Sequence, residues 1–165
     1  MAGPASAQTA AEPETGAQAD GAAAPPQVHV RLDGRALDGR ALPDACELWR
    51  AALSPLFDVE IGAASGAFSA ELKGVHLGDS LIASVGGSVA HRFKRGSVEI
   101  RRSNIDHILI QLYVSGGVQG EYGNRPFHAS EGSISLLDLG RTLDSRTPAF
   151  SNITLPCRAT AFPPR

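Results

Sequence analysis

Cysteine, aromatic side chains and long apolar runs are all scarce in this chain. Its 165 residues include two cysteines, one tryptophan and one methionine, and aromatics make up 5%. Cys46 and Cys157 stand far apart, in neither a CxxC pair nor a zinc-ligand spacing. That predicts two reduced, unpaired thiols and no redox or metal motif. No apolar segment approaches the roughly 18 residues a transmembrane helix requires. Pro4, Glu12, Glu14 and Asp20 interrupt the N-terminal alanines, so no secretory leader is expected either, and cytoplasmic residence is the expectation. An excess of charge is missing too. The formal net charge is −2, which supplies no field to draw the chain onto phosphate backbones or anionic lipid. Lys73 and Lys94 are the only lysines, and nothing mechanistic follows from the preference for arginine. Neither a GxSxG elbow nor a GxxxxGK[ST] phosphate loop is present, so no nucleophile or nucleotide chemistry is indicated.

What is present is ordinary globular composition, 42% hydrophobic and 19% charged, enough for one domain with a proper core. Residues 1–26, rich in alanine and proline, have no aromatic and no branched aliphatic side chain. They cannot offset their ordering entropy by burial and are expected to form a disordered tail. Val28 to Leu32 alternates as VHVRL and suits a short edge strand, with Asp33-Gly34 and Asp38-Gly39 as turns. One helix is predicted over Pro43 to Phe57. Pro43 suits the first helical position, Asp44 and Glu47 complement the macrodipole, and Ala45, Leu48, Trp49, Ala52, Leu53 and Leu56 form an apolar stripe. Trp49 is expected to anchor that helix on a sheet.

From Phe68 the pattern changes to strands: FSAELKGVHL, SLIASVGGSVAHRF, HILIQLYVSG, GVQGEYG, RPFHA, SISLLDL and SNITL. Gly78-Asp79, Gly116-Gly117, Gly123-Asn124 and Glu131-Gly132 separate them, as in a sandwich or barrel. Gly86-Gly87 suits a strand bend, and VEIRRS suits one helical turn. In HILIQLYVSG, Ile108, Ile110, Leu112 and Val114 share one face and Leu109, Gln111 and Tyr113 the other, giving one buried and one semi-polar side. In GSISLLDLG, Ile134 and Leu136 share a face with Asp138, opposite Ser133, Ser135, Leu137 and Leu139. A mixed face of that kind suits a partly polar interior able to hold a ligand.

The segments ELWRAALSPLF, HRFKR, RRSNIDHILIQLYVSG, GEYGNRPFHASEGSISLLDLGRTLD and ITLP, in this order, resemble the N-terminal ligand-binding domain of AraC/XylS-type transcription regulators, over about Ala45 to Pro156. The resemblance implies a mainly β chain folded as a cupin-like (jelly-roll) β-barrel over residues 27–160, with one N-terminal amphipathic helix packed on it. It implies an effector-sensing, non-enzymatic regulatory domain. The partners it implies are a small-molecule effector, an organic acid among the candidates, and a homodimer mate or full-length regulator. In that family a separate C-terminal domain contacts DNA. Here the sequence after Leu155-Pro156 runs CRATAFPPR, so residues 161–165 are expected to be a truncated end without a helix-turn-helix, and the chain is not expected to bind DNA or membrane directly. The alternative is a stand-alone module that pairs with full-length regulators.

Cupin-like barrels include metal enzymes. His29, His76, His91, His107 and His128 are scattered singly, however, without the HxH pair and downstream glutamate of metal-binding cupins, so no metal or cofactor is expected. The cluster His91 to Arg95, with Arg101 and Arg102 behind it, is open to three readings: a solvated face, an anion-recognising pocket wall, or a nucleic-acid contact. Arg92 would pair a carboxylate bidentately, but it alternates with Phe93, so a regular strand turns only one of the two inward. Gln111 and Tyr113, with His107 at the strand entrance, are either orienting groups of a pocket or external residues on a wet face. Arg92, His107, Gln111 and Tyr113 are thus the candidate ligand-binding residues.

Overall fold

The computed structural model of the chain describes residues 25–35, 41–63, 67–77 and 80–159. The expected tail up to residue 24, the end at 161–165 and the turns at Asp38-Gly39 and Gly78-Asp79 lie outside the described residues. In chain order the elements are β1 (Gln27–Arg35), α1 (Ala41–Leu53), β2 (Asp58–Ile61), β3 (Ala67–Leu77), β4 (Ser80–Gly87), β5 (His91–Arg95), α2 (Ser97–Ser103) and β6 (His107–Ser115). They continue with β7 (Val118–Tyr122), β8 (Arg125–Ala129), β9 (Ile134–Asp138), β10 (Leu143–Thr147) and β11 (Phe150–Arg158). A six-stranded sheet runs β1-β3-β4-β11-β6-β9 and faces a five-stranded sheet, β2-β5-β10-β7-β8. The pairings are antiparallel, and no ladder among the described residues joins the two sheets. The architecture is a jelly-roll sandwich, not a barrel closed by hydrogen bonds, with α1 packed on one end.

The turn chemistry works as the sequence suggests. Gly123 and Asn124, at φ 56° and 62°, are both left-handed, as a tight hairpin between β7 and β8 demands. Gly120 has a different reason to lack a side chain, because a Cβ there would lie 2.1 Å from the Asp144 carbonyl oxygen on β10, and backbone cannot yield to it. VEIRRS does become helical, as α2, where the Glu99 carboxylate accepts from the Gly96 N–H at 2.8 Å and Asn104 ends the helix at φ 47°.

Several expectations need correction. β1 continues through Asp33 and Gly34 instead of turning there. The helix is shorter than Pro43 to Phe57, starting at Ala41 and stopping at Leu53. Its buried line is the single i, i+4, i+8 row Ala45, Trp49 and Leu53, while Leu48 is 59% exposed and Ala52 faces solvent. A helix lying over the curved end of a sheet needs only that narrow seam. SLIASVGGSVAHRF is not one strand: after Gly86-Gly87 the chain crosses from one sheet to the other, so β4 and β5 belong to different layers. Two short strands, β2 and the polar β10 (LDSRT), had no sequence expectation at all.

Trp49 is fully buried and anchors α1 as anticipated, contributing on the order of 4 kcal/mol if about 150 Å² or more of apolar surface is covered at about 25 cal/mol/Å². Its indole Nε1 donates to His91 Nε2 at 3.0 Å. That fixes the imidazole tautomer, since Nδ1 must then carry the proton that meets the Val89 carbonyl at 2.8 Å. Phe68, Phe93 and Phe150 surround the same ring. Arg95 is 1% exposed, and burial lowers its pKa. Its guanidinium donates to the carbonyls of Leu139 (2.7 Å) and Leu56 (2.6 Å) and to Ser103 Oγ (2.8 Å). The basic cluster is therefore not uniformly solvated, for Arg95 is an internal clasp between the turn after α1, α2 and the β9–β10 loop.

Arg95→Met leaves the Leu56 and Leu139 carbonyls without their donor, and at about 1–3 kcal/mol per stranded group the expected loss is about 3 kcal/mol by urea denaturation; a loss below about 1 kcal/mol would show that the clasp is dispensable. His91 titrates below its ordinary value of 6.5 because it is buried, so below about pH 6.5 the unfolded chain takes up a proton that the folded chain resists. This contribution is expected to be fully present well above pH 6.5 and to be lost progressively as the pH falls through 6.5 toward the lower folded-state value. His91→Gln should flatten the slope in that window whatever its absolute stability, and an unchanged slope would assign the effect elsewhere.

Candidate functional site

Between the sheets lies a cavity of about 330 Å³, near the lower end of the roughly 300–1,000 Å³ of small-molecule pockets. Strand alternation decides what faces it. From β6 it takes His107, Leu109, Gln111 and Tyr113, and from β11 Phe150, Asn152, Thr154 and Pro156. The opposing sheet supplies Phe93 from β5 and Leu143, Ser145 and Thr147 from β10, while Leu53, Leu56 and Phe57 close the end under α1.

The wall formed by β11, β6 and β9 carries a chain of side-chain hydrogen bonds. Register places Thr154 opposite Gln111, and Gln111 opposite Ser135. Gln111 Nε2 donates to Thr154 Oγ1 at 3.1 Å, and the Thr154 hydroxyl donates to Asn152 Oδ1 at 3.0 Å. The Tyr113 phenol lies 3.3 Å from Gln111 Oε1 and 3.0 Å from Ser135 Oγ. Burial raises the Tyr113 pKa, against a smaller opposing effect of Ser135, so the phenol stays neutral. These groups satisfy one another, as buried polar groups must. His107 differs: its Nδ1 is buried and, among the described residues, is the one such side-chain atom without a hydrogen-bond partner.

Of the four residues singled out from sequence, the structure brings three together. His107, Gln111 and Tyr113 line the cavity; Arg92 does not. Phe93 takes the inward position, which sends Arg92 to the outer face of β5, where Nε and Nη2 grip both carboxylate oxygens of Asp144 at 2.7 Å. Glu60 lies 3.4 Å from Arg92 Nη1 and also bonds Lys94. The Asp144 bond holds the guanidinium above its ordinary pKa, and Arg92 in turn holds Asp144 below its own. Sequence reasoning passed over Asn152 and Thr154 and placed Ser135 only on the mixed face of its strand. The pattern SNITLP does alternate, but alternation normally turns the apolar side inward, and here Ile153 (39% exposed), Ile134 (63%) and Leu136 (57%) point out. Among the described residues no group of three or more His, Cys, Asp or Glu side chains could hold a metal ion, and no helix is long and apolar enough to cross a membrane.

No curated protein matches the chain. Among solved structures it is similar to the AraC-like transcriptional activator CuxR, with 30% identity and a TM-score of 0.66 over 79% of this chain and 48% of that one. The chain thus spans about half the length of that activator. Looser likenesses are to the cupin domain of Cnp3 from Schizosaccharomyces pombe (8% identity, TM-score 0.43, 62% of this chain and 70% of that one) and to the cupin-2 domain Rru_A2000 from Rhodospirillum rubrum (10%, 0.39, 62% and 70%). Residues 45–160 match the sequence model of the AraC-binding-like domain, and the chain belongs to that family of cupin-like regulatory domains.

Proposed function

We propose that this domain senses a small molecule for an AraC-type transcription regulator, binding it between the two sheets without transforming it. The observation that carries the reading is the cavity itself: a largely apolar space between the sheets with a hydrogen-bonded polar wall and one buried, unpartnered imidazole nitrogen, inside a member of a regulatory domain family. A cytoplasmic site of action accords with that role. Sensing requires the effector to bind two states of the regulator unequally, because equal affinity shifts nothing. Phe93 and Leu53 give the cavity a route outward. They border it, and they also belong to the core that seats α1 and β5, so occupancy can bias how those elements sit. The DNA contact is made outside the jelly roll.

The test is a transcription reporter driven by the full chain fused to the DNA-binding half of the AraC-like activator, dosed with fractionated small-molecule extract. Ala83 is buried and lines the cavity, so Ala83→Phe fills the space an effector needs. A response of at least about fivefold, within the usual range of allosteric coupling, is expected from the unsubstituted fusion and is expected to vanish in the filled variant, with folding checked by circular dichroism. Equal responses from both would count against the cavity as the sensing site.

A further inference from the structure

Among the described residues, the cavity wall contains no aspartate, glutamate, lysine or arginine. Arg92, the cation best suited to a carboxylate, is committed to Asp144 on the outer face. Arg95 is buried but not on the wall, and its guanidinium is directed at Leu56, Leu139 and Ser103. An anionic effector would therefore lose its hydration and find no fixed countercharge, a combination that buried charges do not tolerate. The polar side chains narrow the choice further. Gln111, Tyr113, Thr154 and Asn152 are engaged with one another or with Ser135, so part of their hydrogen-bonding capacity is already used. Among the described residues, His107 Nδ1 is the one buried side-chain nitrogen or oxygen with no partner at all.

From this geometry we infer that the effector is a compact, uncharged and mainly apolar molecule bearing one hydrogen-bonding group, a hydroxyl, phenol or carbonyl, which docks on His107 Nδ1. The inference rests on the cavity being the effector site, and it replaces the organic acid with a neutral ligand. Either imidazole tautomer serves, because Nδ1 accepts from a hydroxyl when unprotonated and donates to a carbonyl when protonated. The apolar body fills the space between Phe93, Leu109 and Phe150.

The experiment uses the full chain at about pH 8. The neutral fluorophore 1-N-phenylnaphthylamine is bound first and then displaced by 2-naphthol, 2-naphthoate or naphthalene, three probes that share one ring system. The expected result is displacement by 2-naphthol at a concentration at least about tenfold lower than by 2-naphthoate. His107→Phe should weaken 2-naphthol by about two- to tenfold, the worth of one hydrogen bond, and leave naphthalene unchanged, while His107→Gln should restore part of the loss. Displacement by 2-naphthoate as readily as by 2-naphthol would overturn the neutral-ligand assignment and leave the cavity as a binding site. Equal 2-naphthol affinity in the His107→Phe protein would overturn the docking role of His107. If none of the naphthalenes enters the folded, unsubstituted protein, the effector-site reading falls and this inference falls with it.

Discussion

The hydrogen bond from the Trp49 indole to His91 joins three layers at one point. Trp49 comes from α1 and His91 from the five-stranded sheet, while Phe68 and Phe150, which pack on the same imidazole, come from the six-stranded sheet. Gly87 lies close by, and a Cβ there would fall 2.5 Å from the imidazole Cε1, so the chain can leave β4 for β5 at that spot only without a side chain. The position of the helix, the spacing of the sheets and the crossover between them all depend on this neutral, fully bonded imidazole. Because His91 also stacks on Phe93 at 5.7 Å, the same residue backs a side chain that lines the cavity.

Local signals carried the architecture well where they were redundant. Gly116-Gly117, Gly123-Asn124 and Glu131-Gly132 punctuate strands of alternating character, and each falls at a turn. Elements lacking redundancy were invisible. β10 reads LDSRT, with little β propensity, and owes its conformation to pairing with β5 and β7 on either side. β2 is only four residues long and pairs with β5 alone. The break inside SLIASVGGSVAHRF was hidden because a strand that bends and a strand that changes sheet have the same glycine signature.

Half of the site was legible for the same reason, and half was not. Parity grouped Gln111 and Tyr113 with Leu109, and the mixed face of β9 hinted at a polar interior. The usual rule that the more polar side is the wet one then misleads, because this sheet is inverted: Ile134, Leu136 and Ile153 are exposed while Ser135, Asn152 and Thr154 are buried. A hollow core lets polar side chains be buried provided that they bond one another, and such closure depends on cross-strand register that no single segment reveals. Arg92 illustrates the opposite error. Its charge invited a ligand, yet Phe93 beside it has the stronger claim to the interior, and Asp144, remote in sequence, already supplies the carboxylate.

Both sheets are completed by the last two strands among the described residues. β11 lies between β4 and β6, and β10 between β5 and β7, so each joins strands made early to strands made in the middle of synthesis. Until Leu143 to Arg158 have been made, the early strands and the middle ones are separate ribbons with no pairing between them. Long-range closure of this kind is slow, and the unfinished ribbons expose aliphatic edges while they wait. This domain accordingly closes only once β10 and β11 have been made, and the residues that bring closure about are among the least conspicuous in the sequence.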